Sequence, residues 1–300
     1  MKTRLGSIVA TTLVLLVFGG LGAAPQPSSA ASGANSDAIA QSRSSSAAES
    51  KASSCRDLPG SDPHLELLPE LCRFALTYRH QLPDFIAQQT TTVRGAKTST
   101  VLTEQVVFRQ GRESYSQLTI NGKAFPGDAP ARLPRNVRFT SAGEFGSLLV
   151  DLFTVPGATE FKLRRGAMLQ GIPVVIYEFH VPQAKNSFWT IRDASQRTMK
   201  PEFRGEVWLD RAGHPLREEL EPLHLPSDWS TNSIKTVTDY ALTTVGDVGK
   251  FLLPVKSETT VCLGPNGFVR PTIDCTSNTL VFHDYQKFAT STRILDVQVP

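Results

Sequence analysis

The chain has 300 residues, with 31 basic and 28 acidic side chains and a formal charge of only +3. Its charges are interspersed, which excludes the basic stripe of a nucleic-acid binder. Four cysteines and a 40% hydrophobic share describe a chain that builds its own core and needs neither disulfides nor a metal simply to fold.

Lys2 and Arg4 precede an apolar run from Ile8 to Leu21, and the small residues Gly22, Ala23 and Ala24 follow. This is the secretory pattern. The run is shorter than the ~20 residues of a membrane-spanning helix. Pro25 hinders cleavage after Ala24, so the expected cut falls near Ala30 or Ala31, and residues 1–30 read as a signal peptide. The alternative is an uncleaved N-terminal anchor. No cysteine follows the small residues, so no lipid anchor is expected. Loss of Lys2 and Arg4 leaves 29 basic against 28 acidic residues, or +1. The expected location is the periplasm or the exterior.

Residues 31–54 continue a stretch of Ser, Ala, Gly, Gln and Asn that holds no aromatic residue and only one large aliphatic, Ile39. Such a segment cannot bury enough apolar surface to offset its ordering entropy. It reads as a disordered spacer. Residues 55–300 read as a single β-rich domain.

Asp62-Pro63 has the form of a helix start, and Pro69 restarts the helix in its first turn. Leu67, Leu68, Leu71, Cys72, Ala75, Tyr78 and Leu82 then fall at helical spacing. From Phe85 the period changes to two. Strands are expected over 85–94, 101–109 and 113–120, and Asn121-Gly122 marks a tight turn. Pro126 to Asn136 is a loop. A second helix is expected over 142–153, opened by the capping box Ser141-x-x-Glu144 and presenting Phe145, Leu148, Leu149 and Leu152 on one face. Pro156-Gly157 ends it. Strands follow at 161–165, 167–169, 174–181, 188–192, 205–210, 215–221, 233–243, 248–261 and 279–288. About a dozen strands with two helices and no βαβ alternation indicate antiparallel sheet.

The cysteines are Cys55, Cys72, Cys262 and Cys275. An even count in an exported chain predicts disulfides. Of the three pairings, the local pairs Cys55–Cys72 and Cys262–Cys275 are expected. Zinc is the alternative, although no C-x-x-C occurs.

The common catalytic patterns do not occur: neither the G-x-S-x-G elbow nor the H-E-x-x-H helix, neither the phosphate-cradling glycine loop nor the dinucleotide fingerprint. The six histidines are scattered. His180 shares a strand face with Glu178 by the period of two, and His283 precedes Asp284, but neither has a third partner. No catalytic residue, metal or cofactor is expected. Trp189, Trp208 and Trp229 lie in or beside strands, where they can line a pocket or fill the core.

The stretch Phe203-Arg204-Gly205-Glu206-Val207-Trp208-Leu209-Asp210-Arg211-Ala212-Gly213-His214-Pro215-Leu216-Arg217 resembles a hairpin of the periplasmic lipoprotein-carrier superfamily. An envelope-stress sensor that binds an anti-sigma factor shares that fold and a similar hairpin. The folded part is also similar to a group of uncharacterised exported bacterial proteins, through L-C…A-L-x-Y-R…L-P-x-F from Leu71 to Phe85 and G-E-F-G at 143–146. The superfamily resemblance implies a strongly curved antiparallel sheet or incomplete β-barrel, with an N-terminal and a central helix packed on it. It implies a hydrophobic cavity between sheet and helices. Candidate lining residues are Phe145, Leu148, Leu149 and Trp208. The expected function is non-enzymatic binding of an apolar ligand, a lipid or a lipidated chain. The alternative is an envelope protein-interaction or sensor module without a small ligand; a third reading is a hydrolase with an unrecognised site.

Overall fold

A computed structural model describes residues 55, 64–95, 98–125, 139–140, 144–155, 157–186, 189–192, 197–229, 231–264 and 274–288, together with 14–15 and 17–18. Residues 1–54, read above as signal peptide and spacer, therefore lie almost wholly outside the described residues, as do Asp62-Pro63, Ser141 and the 126–136 loop. Of the leader, Val14–Leu15 pairs in parallel with Phe139–Thr140, and Val17–Phe18 pairs antiparallel with Trp189–Arg192.

Helix α1 spans Leu68–Gln81 and starts with Pro69 in its first turn, where a missing N–H costs nothing. It buries Leu68, Leu71, Cys72, Ala75, Leu76 and Tyr78, close to the stripe read from spacing. The chain then enters the sheet with β1 (Phe85–Arg94), β2 (Ser99–Arg109), β3 (Arg112–Ile120) and β4 (Lys123–Ala124). Asn121 and Gly122, at φ of 50° and 77°, make the expected turn between β3 and β4. Helix α2 (Ser147–Thr154) follows. The second run of strands is β5 (Glu160–Leu169), β6 (Ile172–Val181), β7 (Glu202–Leu209), β8 (Pro215–Leu223), β9 (Thr231–Val245), β10 (Gly249–Leu263) and β11 (Asp274–Lys287).

These strands form one 11-stranded sheet in the order β4-β3-β2-β1-β11-β10-β9-β8-β7-β6-β5. Every pairing in it is antiparallel. The chain starts in the middle of the sheet, works out to β4, and reappears at the opposite edge as β5. It then returns strand by strand until β11 lies beside β1. The connection that carries α2 thus joins the two outer edges and must cross a face of the sheet. The sheet is curved but not closed, as expected, and both helices pack on one face. No helix among the described residues is long and apolar enough to cross a membrane.

The structure differs from the sequence reading at three places. The segments 161–165 and 167–169 are one strand, β5, interrupted by a register shift between Leu163 and Arg165. Residues Trp189–Arg192 form a strand outside the large sheet, paired with Thr198–Met199. Helix α2 begins at Ser147, not at 142, because Gly146 has φ of 83°, a left-handed conformation that no helix interior contains.

The packing falls into clusters along the helical face. One gathers Leu148, Leu152, Phe179, Val181, Trp189, Phe203, Leu220 and Val261 beneath α2. A second gathers Tyr78, Phe85, Val106, Phe108, Phe145, Leu253 and Phe282. A third sets Leu68, Leu71 and Ala75 of α1 against Leu149, Tyr177, Val207 and Leu209. Aromatic rings carry the second, with Phe85 stacked on Phe108 at 5.0 Å and Phe145 edge-on to Phe282 at 5.2 Å.

Both local disulfides are present. Cys55–Cys72 ties residue 55 to α1, and Cys262–Cys275 bridges directly opposed residues of β10 and β11. Closing a loop whose ends are 17 residues apart restricts the unfolded chain by about 3 kcal/mol. Replacing Cys55 and Cys72 together by serine is expected to lower the unfolding free energy by about 2–4 kcal/mol. Urea denaturation without reductant checks this, and an unchanged midpoint would contradict it.

Candidate functional site

The alternation of β8 decides what faces α2. Leu220 is buried in the cluster under the helix, and Glu218, two residues earlier, points to the same side. On β9 and β10 the same face carries Thr236, Thr238, Ser257 and Thr259, all buried. They bond in register across the strands, Thr236 to Thr259 at 3.0 Å and Thr238 to Ser257 at 3.2 Å. The face therefore has a polar band between its apolar clusters, continued by Gln89 and Thr91 on β1 and by Thr276 and Asn278 on β11.

Where this band meets α2 there is a cavity lined by Glu144, Leu148, Glu218, Leu220, Thr236, Thr238 and Ser257. Its volume is about 10 Å³, room for about one water molecule. Glu218 is 5% exposed, and its Oε1 accepts a hydrogen bond from the Tyr240 hydroxyl at 2.9 Å. Its Oε2 is buried without a hydrogen-bond partner among the described residues. Burial pushes the Glu218 carboxyl up to about 8, the Tyr240 bond works against that shift, and the nearby Glu144 carboxyl adds to it. At neutral pH Glu218 is therefore a neutral acid that can donate as well as accept. On α2 itself, burial raises Asp151 to about 7, opposed by the charge of Arg79.

The four expected lining residues divide. Leu148 lines the cavity. Phe145 and Leu149, each fully buried, belong to the aromatic cluster and the α1 cluster. Trp208 lies on the other side of the sheet, since Val207 and Leu209 on either side of it pack under α1. There its indole N–H donates to Glu206 at 3.1 Å and the Arg217 guanidinium covers its ring at 5.5 Å. Arg217 in turn forks onto Asp239 at 2.6 and 3.2 Å. Trp208 thus anchors a cross-strand ladder on the outer face. Trp189 fills the core edge-on to Phe203 at 5.2 Å.

Sequence reasoning missed Glu218, Tyr240 and Glu144 altogether as site residues. The capping role expected of Glu144 gives way to a place in the cavity wall, 5% exposed. His180 acquires partners from other strands: Glu202 at 2.7 Å and Glu160 at 3.5 Å. Glu202 also accepts from His224 at 3.1 Å. The two imidazoles hold the Glu202 carboxyl below its usual range. No group of three His, Cys, Asp or Glu residues that could hold a metal ion occurs among the described residues.

No family model matches the chain, and no curated protein does. Solved structures do resemble it. A LolA superfamily protein from Nitrosomonas europaea is 10% identical with a TM-score of 0.36, covering 74% of this chain and 94% of that one. A DUF1329 family protein from Desulfovibrio piger is 10% identical with a TM-score of 0.36, covering 77% and 92%. The lipoprotein-carrier superfamily named from the hairpin thus returns among the solved structures. Likeness at this level carries no statement about what this chain binds.

Proposed function

We propose that the mature chain is an exported, non-enzymatic binding protein that takes an apolar ligand, an acyl lipid or a lipidated chain, between α2 and the face of the sheet it crosses. One observation carries this reading. Beneath an eight-residue helix that has no side-chain cap lies the apolar cluster of Phe179, Val181, Trp189, Phe203, Leu220, Ile234 and Val261. A helix this short has little stability of its own and is held by packing. Lifting it would uncover these apolar side chains beside Glu218, Thr236, Thr238 and Ser257, and burial of ligand surface on them would gain about 25 cal/mol per Å².

The water-sized cavity favours a second reading, an envelope protein-interaction module with a filled interior. Native mass spectrometry of the mature protein from the periplasm separates the two. The expected result is a co-purifying acyl species near one per chain, with saturable binding of a fluorescent fatty acid by the stripped protein. A clean apo mass with no binding on titration would sink the ligand reading and leave the interaction module.

A further inference from the structure

Strand β5 ends the sheet with its outer edge unpaired among the described residues. Unlike the opposite end, where β4 has two residues, β5 has ten. Lys162 to Gly166 are exposed in succession, so neither face of the strand is covered there. Leu163, Met168 and Ile172, at 40%, 62% and 46% exposure, are three of the seven exposed large hydrophobic residues of the described chain, and all lie on the β5–β6 hairpin. From Lys162 to Val175 the sequence has three basic residues and no acidic one. Arg164, at the register shift, pairs with Glu206 of β7. Lys162 and Arg165 have no carboxylate partner among the described residues.

We infer that the β5 edge from Lys162 to Leu169 takes an extended segment of a protein partner, one in which acidic and apolar side chains alternate, added as a further antiparallel or parallel strand. A long unpaired edge offers a row of main-chain donors and acceptors that another strand satisfies and a lipid surface does not. An edge of eight residues lies within the usual strand length. The basic side chains repel a second copy of the same edge and attract carboxylates, while Leu163 and Met168 supply apolar contact. By its register with β6, Lys162 and Arg165 lie on one face of β5, opposite Glu178 and Ile176, while Leu163 and Met168 lie on the other, opposite Tyr177 and Pro173, so a strand of alternating acidic and apolar side chains meets basic residues on one face and apolar residues on the other. This inference is independent of the ligand reading.

The test uses the mature protein and a fluorescein-labelled peptide of alternating glutamate and valine, about eight residues long, with a lysine–valine peptide as control. Anisotropy is expected to show binding of the glutamate peptide alone, weakened at least tenfold by K162E/R165E and by added salt. Hydrogen exchange is expected to show new protection among the amides of residues 162–169. No binding of the glutamate peptide, equal binding of both peptides, or protection placed elsewhere would overturn the inference. So would β5 protection that depends on protein concentration alone, which assigns the edge to a second copy. Binding to phosphatidylglycerol vesicles without peptide binding would assign it to a lipid surface.

Discussion

Between pH 4.5 and pH 8 the unfolding free energy is expected to fall, and Glu218→Gln is expected to remove a large part of that fall. Glu218 has its carboxyl raised to about 8 by burial beside the cavity. In the unfolded chain it ionises near its ordinary value, so from there upward the unfolded state releases a proton that the folded state keeps. Folding stability therefore declines as pH rises, and levels off once the folded carboxyl also ionises near pH 8. The amount is about 5 kcal/mol, for a carboxyl raised from 4.5 to about 8 at 1.36 kcal/mol per pH step. Glutamine keeps the shape and still accepts from Tyr240, but has no charge to bury. The variant should match the wild type at pH 4.5 and exceed it above pH 8. Tyr240→Phe should move the wild-type transition upward, because the Tyr240 bond holds the carboxyl down. Urea denaturation across this range checks all three. Parallel pH profiles for wild type and Glu218→Gln would show that Glu218 is already ionised in the folded protein. Asp151, raised to about 7, contributes with the same sign, so Asp151→Asn is the control that separates the two acids.

Part of the helix-bearing face of the sheet is legible in the sequence. Phe85 to Arg94 alternates cleanly, and the strand has those bounds. The Asp210–Gly213 turn can be read because its chemistry is local. The Asp210 carboxylate accepts from the backbone N–H of Ala212 and of His214, both at 2.9 Å, and Gly213 has φ of 83°. The stripe of α1 is legible for the same reason, its spacing being a property of one segment. Trp208 is misread because an aromatic residue looks like core, whereas its phase relative to Val207 and Leu209 puts it outside. Glu218 escapes through the converse error. Leu220 buries on β8, and the period of two from Leu220 reaches Glu218, so the signal exists. A charged residue reads as outward, although a neutral acid with one phenolic partner can be buried. The contacts of His180 with Glu202, and of Glu202 with His224, cross between strands, and no spacing rule within one segment contains them.

Replacing Gly146 by alanine is expected to cost about 3 kcal/mol and to unseat α2. Two penalties coincide there. The residue has φ of 83° at the start of the helix, where an L side chain costs about 1–2 kcal/mol. An added Cβ would also stand 2.6 Å from Tyr78 Cε1. That ring cannot withdraw cheaply, since Tyr78 is 2% exposed and its hydroxyl donates to the Leu252 carbonyl at 2.7 Å. Forcing volume into such a place costs about 1–3 kcal/mol. Gly157 is the matching control: its φ is 66°, and nothing among the described residues lies within 4 Å of a Cβ there. Gly157→Ala should therefore show the conformational cost alone, about 1 kcal/mol. The comparison reaches function because α2 covers the apolar cluster beneath it. If the domain stays folded while α2 lifts, Gly146→Ala should bind a hydrophobic dye that the wild type and Gly157→Ala do not. It should also take up fatty acid faster, since the step that opens the site has been made easier. Equal stability of the two alanine variants would mean that Tyr78 yields and that α2 is not seated by this contact. Loss of stability without dye binding would mean that α2 and the sheet unfold as one unit, and the site would then need another entrance.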